Sequence, residues 1–304
     1  MAHDHSHHHH DHSHTVTHVN RAFYIGIALN FLFVLVEVGA GLYIHSLSLL
    51  SDAGHNLADV ASLALSLLAF RLLKVKPNEK YTYGYRKTTI LVALFNAVVL
   101  LVSIGAISYE AIHRFLNPGP LPGATIAWVA GIGIVINAVT ALLFFRNKDN
   151  DINIKSAYLH LLSDALVSLA LVAGGIIILY TGWYWIDSLL SFVVAVVILI
   201  STWGLLKSSL RLSLDGVPED VDVNEIRERI VNIKGVKDMH HIHVWALSTT
   251  TNALTAHILV SGDIRMDEAD ELKKKIKHEL EHMHIQHTTL EFEQDMHSCS
   301  GEEF

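Results

Sequence analysis

The chain has 304 residues, 51% of them hydrophobic and only 17% charged, with a formal net charge of −8 at pH 7. That is too apolar for an ordinary soluble domain of this size, so a lipid bilayer is the expected surrounding, and no nucleic-acid partner is expected of so acidic a chain. The single cysteine, Cys299, excludes an intrachain disulfide and suits a tail in a reducing compartment.

Residues 1–18, MAHDHSHHHHDHSHTVTH, hold nine of the 22 histidines. No apolar residue recurs there with any period, so this tail is expected to be disordered. Asp and Ser interrupt the histidines, unlike the unbroken run of a purification tag, and imidazole with carboxylate makes a flexible metal-gathering segment. Six apolar stretches follow, at 23–44, 47–70, 89–112, 122–145, 156–181 and 183–206. Each is long enough to cross about 30 Å of hydrocarbon at about 1.5 Å per residue. Arg21 precedes the first. Arg71, Lys74, Lys76, Lys80, Arg86 and Lys87 lie between the second and third, Arg146, Lys148 and Lys155 between the fourth and fifth, and Lys207 and Arg211 after the sixth, whereas the opposite loops hold only Arg114. The positive-inside rule therefore places both termini in the cytoplasm. The first stretch is too long, and too poor in upstream positive charge, for a cleaved signal peptide.

Beyond the sixth stretch, DGVPEDVD supplies turn residues and an acidic helix start near Asp215. Val223, Ile226, Ile230 and Ile233 then recur at helical spacing; MHHIHVWALS and NALTAHILV alternate like strands; Ala269, Leu272, Ile276, Leu280 and Met283 mark a second amphipathic helix; TTLEFE closes as a third strand. The order αββαβ makes a small cytoplasmic α+β domain. The chain thus divides into a tail (1–18), an α-helical membrane domain of six transmembrane helices (19–208) and a cytoplasmic domain (209–304).

The polar residues inside the apolar stretches carry the chemistry. His55 and Asp59, four apart, project from one face of the second stretch, and HLLSD repeats the spacing with His160 and Asp164 in the fifth. If the two helices touch, two imidazoles and two carboxylates converge, the ligand set of a tetrahedral Zn²⁺ site. Two buried carboxylates are costly alone, and a divalent cation between them brings their sum to zero. Metal ligation requires deprotonated ligands, so a site that holds either Zn²⁺ or protons is the core of an exchanger. Asp52, one turn before His55, reads equally as a helix N-terminal group, an access-path carboxylate or a ligand. Glu37, Asn30, Asn96 and Asn137 read as interhelical hydrogen-bonding groups or the lining of a water path.

These features together resemble the cation diffusion facilitator family of zinc-exporting membrane proteins. The likeness rests on the six stretches, the two HxxxD motifs HNLAD and HLLSD, the lead-in SLSLLSDAGHN, the segment YGYRK and a cytoplasmic domain ending in HTTLEFE. It implies a homodimer whose metallochaperone-like (ferredoxin-like) cytoplasmic domains pair, with zinc leaving the cytoplasm in exchange for protons through His55, Asp59, His160 and Asp164. Histidine at both HxxxD starts resembles the Zn²⁺ and Cd²⁺ exporters. A second, regulatory metal site is implied in the cytoplasmic domain at His240, His257, His287 and Glu293, completed by the His-rich tail. Otherwise these side chains are solvated strand and helix residues. The loop KPNEKYTYGYRK has Tyr81 and Tyr85 where some relatives have metal-binding histidine, so no metal is expected there. Lys87 is implied to pair with Asp215, and His278 with His282 reads as a solvated pair on the polar face of the second helix.

The function expected is secondary active export of Zn²⁺, with lipid, divalent cations and protons as partners, no organic cofactor and no catalysis, in a bacterial inner membrane. A membrane-anchored zinc buffer or sensor would leave the paired ionisable groups without a purpose. An intramembrane zinc hydrolase would need an open coordination position and a base such as that of HExxH, a motif that none of the six apolar stretches holds.

Overall fold

The computed structural model describes residues 13–43, 47–116, 124–145, 147–149, 151–181, 185–262 and 265–294. The histidines before residue 13 and Cys299 lie outside the described residues, and so do the side chains of Asp52 and His55. Six long helices come first: α1 (Ser13–Tyr43), α2 (Leu47–Leu72), α3 (Thr88–Leu116), α4 (Ala124–Phe145), α5 (Ile152–Thr181) and α6 (Trp185–Ser213). α1 begins within the stretch read as an unstructured tail. Among the described residues, Arg21–Ala40 and Thr88–His113 are long and apolar enough to cross a membrane, and Gly131–Phe145 is a shorter apolar helix. In α2 the ionisable groups at 52, 55 and 59 interrupt the apolar run.

Tertiary contacts divide the chain into two units, one of residues up to 68, 100–150 and 154–201, the other of 69–99, 151–153 and 202 onwards. In the first, α1 packs on α4 through an edge-to-face pair, Phe23 and Phe144, with ring centroids 4.8 Å apart. Small residues permit the approach: a Cβ on Gly133 would lie 2.8 Å from the Phe33 ring, and one on Gly26 2.9 Å from Thr140 Cγ2. Helices without water between them associate by such close packing rather than by excluding solvent.

The second unit contains the αββαβ sequence in the expected order: α7 (Val223–Val231), β1 (Val236–Ser248), β2 (Thr251–Val260), α8 (Met266–His282) and β3 (Ile285–Glu293). β2 is central, antiparallel to β1 and parallel to β3, because a two-residue turn joins β1 to β2 while the crossover through α8 returns the chain in the same direction. Ile226 and Ile230 of α7, Leu272, Ile276 and Leu280 of α8, and Met239, Leu254 and Ile258 of the sheet form one buried core. The helical positions are those that periodicity selects. Asp222 caps α7 by accepting from the backbone N–H groups of Asn224 and Glu225.

Two helix ends are fastened within this unit. α6 runs to Ser213, past the boundary expected at 208, because nothing breaks the helix until Asp215 takes φ 58°. The Gly216 N–H then bonds back to the Arg211 carbonyl at 2.8 Å, a Schellman closure. Asp215 also meets Lys87 Nζ at 2.5 Å, the pairing the family resemblance implied. With the two side chains 44% and 59% exposed, that ion pair contributes at most about 1 kcal/mol. At the start of α5, Asp151 accepts from the Asn153 N–H at 2.7 Å and from the Thr249 hydroxyl at the β1–β2 turn. The Thr249 N–H bonds Thr89 Oγ1 at 3.1 Å, and Asn153 Nδ2 donates to the Thr89 carbonyl at 3.0 Å. This cap lets α5 begin at Ile152, four residues ahead of the apolar stretch.

Ile276 is fully buried between α8 and the sheet. Ile276→Ala is expected to cost about 3 kcal/mol and to accelerate hydrogen exchange across β2 roughly a hundredfold, measured on the detergent-solubilised protein.

Candidate metal centre

α2 and α5 deliver three of the four expected intramembrane ligands to one place. Asp59 and His160 are 2% and 4% exposed and Asp164 is partly buried. His160 Nε2 lies 2.5 Å from Asp59 Oδ1 and 3.7 Å from Asp164 Oδ2. One ligand atom from each of the three falls within 4.8 Å of the others. The pair on α5 is one turn apart, so its side chains share a face; Asp59 comes from a different helix, which makes the cluster a tertiary construction. His55 lies in α2, one turn before Asp59, with its side chain outside the described residues.

Beside this cluster, Asn56 Nδ2 donates to Glu37 Oε2 at 2.8 Å, joining α2 to α1 through two buried side chains. Glu37 is thus an interhelical hydrogen-bonding group. Asn30 Nδ2 donates to the Gly26 carbonyl of its own helix at 2.9 Å, since a short amide one turn on reaches the backbone.

A second cluster stands on the sheet of the other unit. His240 and His257 are cross-strand partners on β1 and β2, and Glu293 on β3 pairs with Leu259, two residues from His257, so all three share a face. His257 Nδ1 lies 2.6 Å from Glu293 Oε1, and His240 Nε2 lies 3.2 Å from Glu293 Oε2. Their ligand atoms also gather within 4.8 Å. Two residues that sequence reasoning left out join the group. Glu291 Oε2 is 3.6 Å from His257 Nε2. The His241 ring lies 5.5 Å from that of His240 and 5.2 Å from that of His257. Simple alternation sends His241 to the opposite face from His240. An irregularity between His240 and His243, with His241 at φ 47°, turns it back. The doublet HH was the visible signal; the bulge that makes it matter was not.

His287 is not brought to this cluster. It sits six residues before Glu293 on β3, about 20 Å along an extended strand. Its Nε2 lies 3.4 Å from the Tyr83 hydroxyl, with the rings edge to face. Tyr81 and Tyr85 of the same loop pack on each other at 4.9 Å.

Comparison with known proteins adds the decisive observation. Residues 23–212 match the cation efflux transmembrane domain, and residues 218–295 match the cytoplasmic domain of cation efflux proteins. The chain belongs to the cation efflux family. This cation efflux protein is 37% identical over 268 residues to the "Cadmium, cobalt and zinc/H(+)-K(+) antiporter" of Bacillus subtilis, covering 88% of this chain and 86% of the relative. It is 37% identical over 275 residues to the "Metal cation efflux system protein CzcD" of Cupriavidus metallidurans, covering 90% and 86%. To the "Zinc transporter ZitB" of Escherichia coli it is 36% identical over 264 residues, covering 86% and 83%. The zinc- and cadmium-exporting resemblance read from the two HxxxD motifs is borne out at the level of the family, and the protein is an integral membrane transporter of metal cations.

Glu293 carries the sheet cluster because one carboxylate meets both imidazoles. In an Asp59→Ala background, Glu293→Ala is expected to weaken binding of added Zn²⁺ to the cytoplasmic domain by at least about tenfold, read by competition with a chromogenic chelator.

Proposed function

We propose that the protein exports Zn²⁺ from the cytoplasm in exchange for protons, with Cd²⁺ as a second cargo, through an intramembrane site formed by His55, Asp59, His160 and Asp164. The observation that carries this reading is the convergence of Asp59, His160 and Asp164 from two helices, the first two buried and the third partly so. Zinc is the cargo named for several relatives, and imidazole with carboxylate suits it. Each of the six helices spans the membrane, with both termini in the cytoplasm of a bacterial cell and the inner membrane as the site. Two chains pair through their cytoplasmic domains.

The distances support two loaded states. Around tetrahedral Zn²⁺, with metal–ligand bonds of about 2.0–2.2 Å, neighbouring N and O atoms stand about 3.3–3.5 Å apart. At 2.5 Å, His160 and Asp59 are closer than that and suit a shared proton; the 3.7 Å between His160 and Asp164 is somewhat wider. Taking up metal moves the first pair apart by a little under 1 Å and draws the second together. A proton on His160 and a dication therefore compete for the same atoms, and metal affinity falls as pH falls. A site already furnished with four ligands favours holding and releasing an ion over hydrolysis, which needs an open position.

In the cytoplasmic domain His240, His257 and Glu293, with His287 and the His-rich tail to complete the set, bind Zn²⁺ as a regulatory ligand. An ion held between paired domains stabilises whichever arrangement brings its ligands together.

Vesicles with an imposed pH gradient test the transport reading. Wild-type protein is expected to move zinc and protons in opposite directions, and Asp59→Ala to lower zinc flux at least about a hundredfold while the cytoplasmic domain still binds zinc. Equal flux in the two would refute the site.

A further inference from the structure

The polar face of α8 carries a pair of histidines that neither cluster uses. His278 and His282 are both exposed, and they are one helical turn apart near the C-terminal end of α8. Their rings stand edge to face, centroids 4.6 Å apart and planes at 76°. The two Nε2 atoms are 3.3 Å apart. Tetrahedral zinc holds imidazole nitrogens at about 2.0–2.1 Å and an angle near 109°, which sets the separation between two such nitrogens at about 3.3–3.4 Å. The side chains thus already stand at the edge length of a metal chelate.

From this geometry we propose that His278 and His282 form a third metal site, a solvent-facing two-imidazole chelate for a first-row divalent cation such as Zn²⁺. Water completes its coordination. Three physical points favour it. The two Nε2 atoms already stand at a chelating separation, so an ion has little distance to close between them. The last turn of a helix presents carbonyl oxygens and the negative end of the helix dipole, which favours a cation. Imidazole ligands select zinc and its first-row neighbours over Mg²⁺ and Ca²⁺. The site is separate from the sheet cluster, because His282 lies just before Ile285 at the start of β3 whereas Glu293 ends it, roughly 26 Å away along the strand. An ion bridging residues 278 and 282 also clips the final turn of α8 to the turn before it. The proposal stands on α8 alone and does not depend on the transport reading.

Site-resolved chemical modification tests it. Metal-free, full-length protein in detergent is treated with diethyl pyrocarbonate, which modifies imidazole nitrogens that are not coordinated, with and without added zinc chloride; peptides containing residues 278 and 282 are then quantified by mass spectrometry. Zinc is expected to reduce modification of both histidines at least about fivefold. In His278→Ala that protection should vanish at His282, and in His282→Ala it should vanish at His278. It should persist at both in a His240→Ala, His257→Ala double variant. Equal modification with and without zinc in the wild type, protection of His282 that survives His278→Ala, or protection lost in the double variant would each overturn the proposal.

Discussion

The contact between Asp59 on α2 and His160 on α5 is the constraint around which the membrane part of the protein is arranged. An unpaired carboxylate among apolar helices costs several kcal/mol. The helices must therefore present it with something positive or proton-bearing, and His160 Nε2 at 2.5 Å is what they present. Asp164, one turn further along α5, brings a second carboxylate to the same imidazole. Imidazole and carboxylate gathered in this way are donors suited to a dication.

Holding the cluster requires that α2 and α5 be placed accurately. The amide of Asn56, three residues before Asp59 and so on much the same face, is tied to Glu37 of α1, which anchors the turn of α2 that carries Asp59. α1 in turn packs on α4 through glycines that leave no room for a Cβ. The first turn of α5 is capped by Asp151, the same carboxylate that receives the Thr249 hydroxyl from the β1–β2 turn. Polar side chains thus fix both helices, as suits helices that gain little from excluding water against each other.

The cytoplasmic sheet solves the same chemical problem by different means. Its imidazoles and carboxylate come from three neighbouring strands, and strand pairing alone sets His240 opposite His257 and places Glu293 on their face. A local irregularity adds His241. Where helices assemble a site through long-range packing, a sheet needs register and one bulge. Both clusters combine imidazole with carboxylate, the donor set suited to zinc.

Much of this was legible in the sequence for physical reasons. Long apolar stretches can only be membrane helices or a very large core, a four-residue interval always shares a helix face, and period-two alternation marks a half-buried strand; the six helices, the HxxxD pairs and the αββαβ order follow from those rules. What no local rule could supply was distance between elements. His287 has the same chemistry as His257 and sits on a neighbouring strand, yet register carries it to Tyr83. His241 reads as an outward residue until the bulge turns it, and Glu291 gains its place only from the pairing of β3 with β2. His278 and His282 share a face by spacing, and their Nε2 atoms stand 3.3 Å apart on that one helix. Composition and periodicity determined which residues were available as ligands. Packing and register decided which of them meet, because convergence depends on the arrangement of segments far apart in the chain.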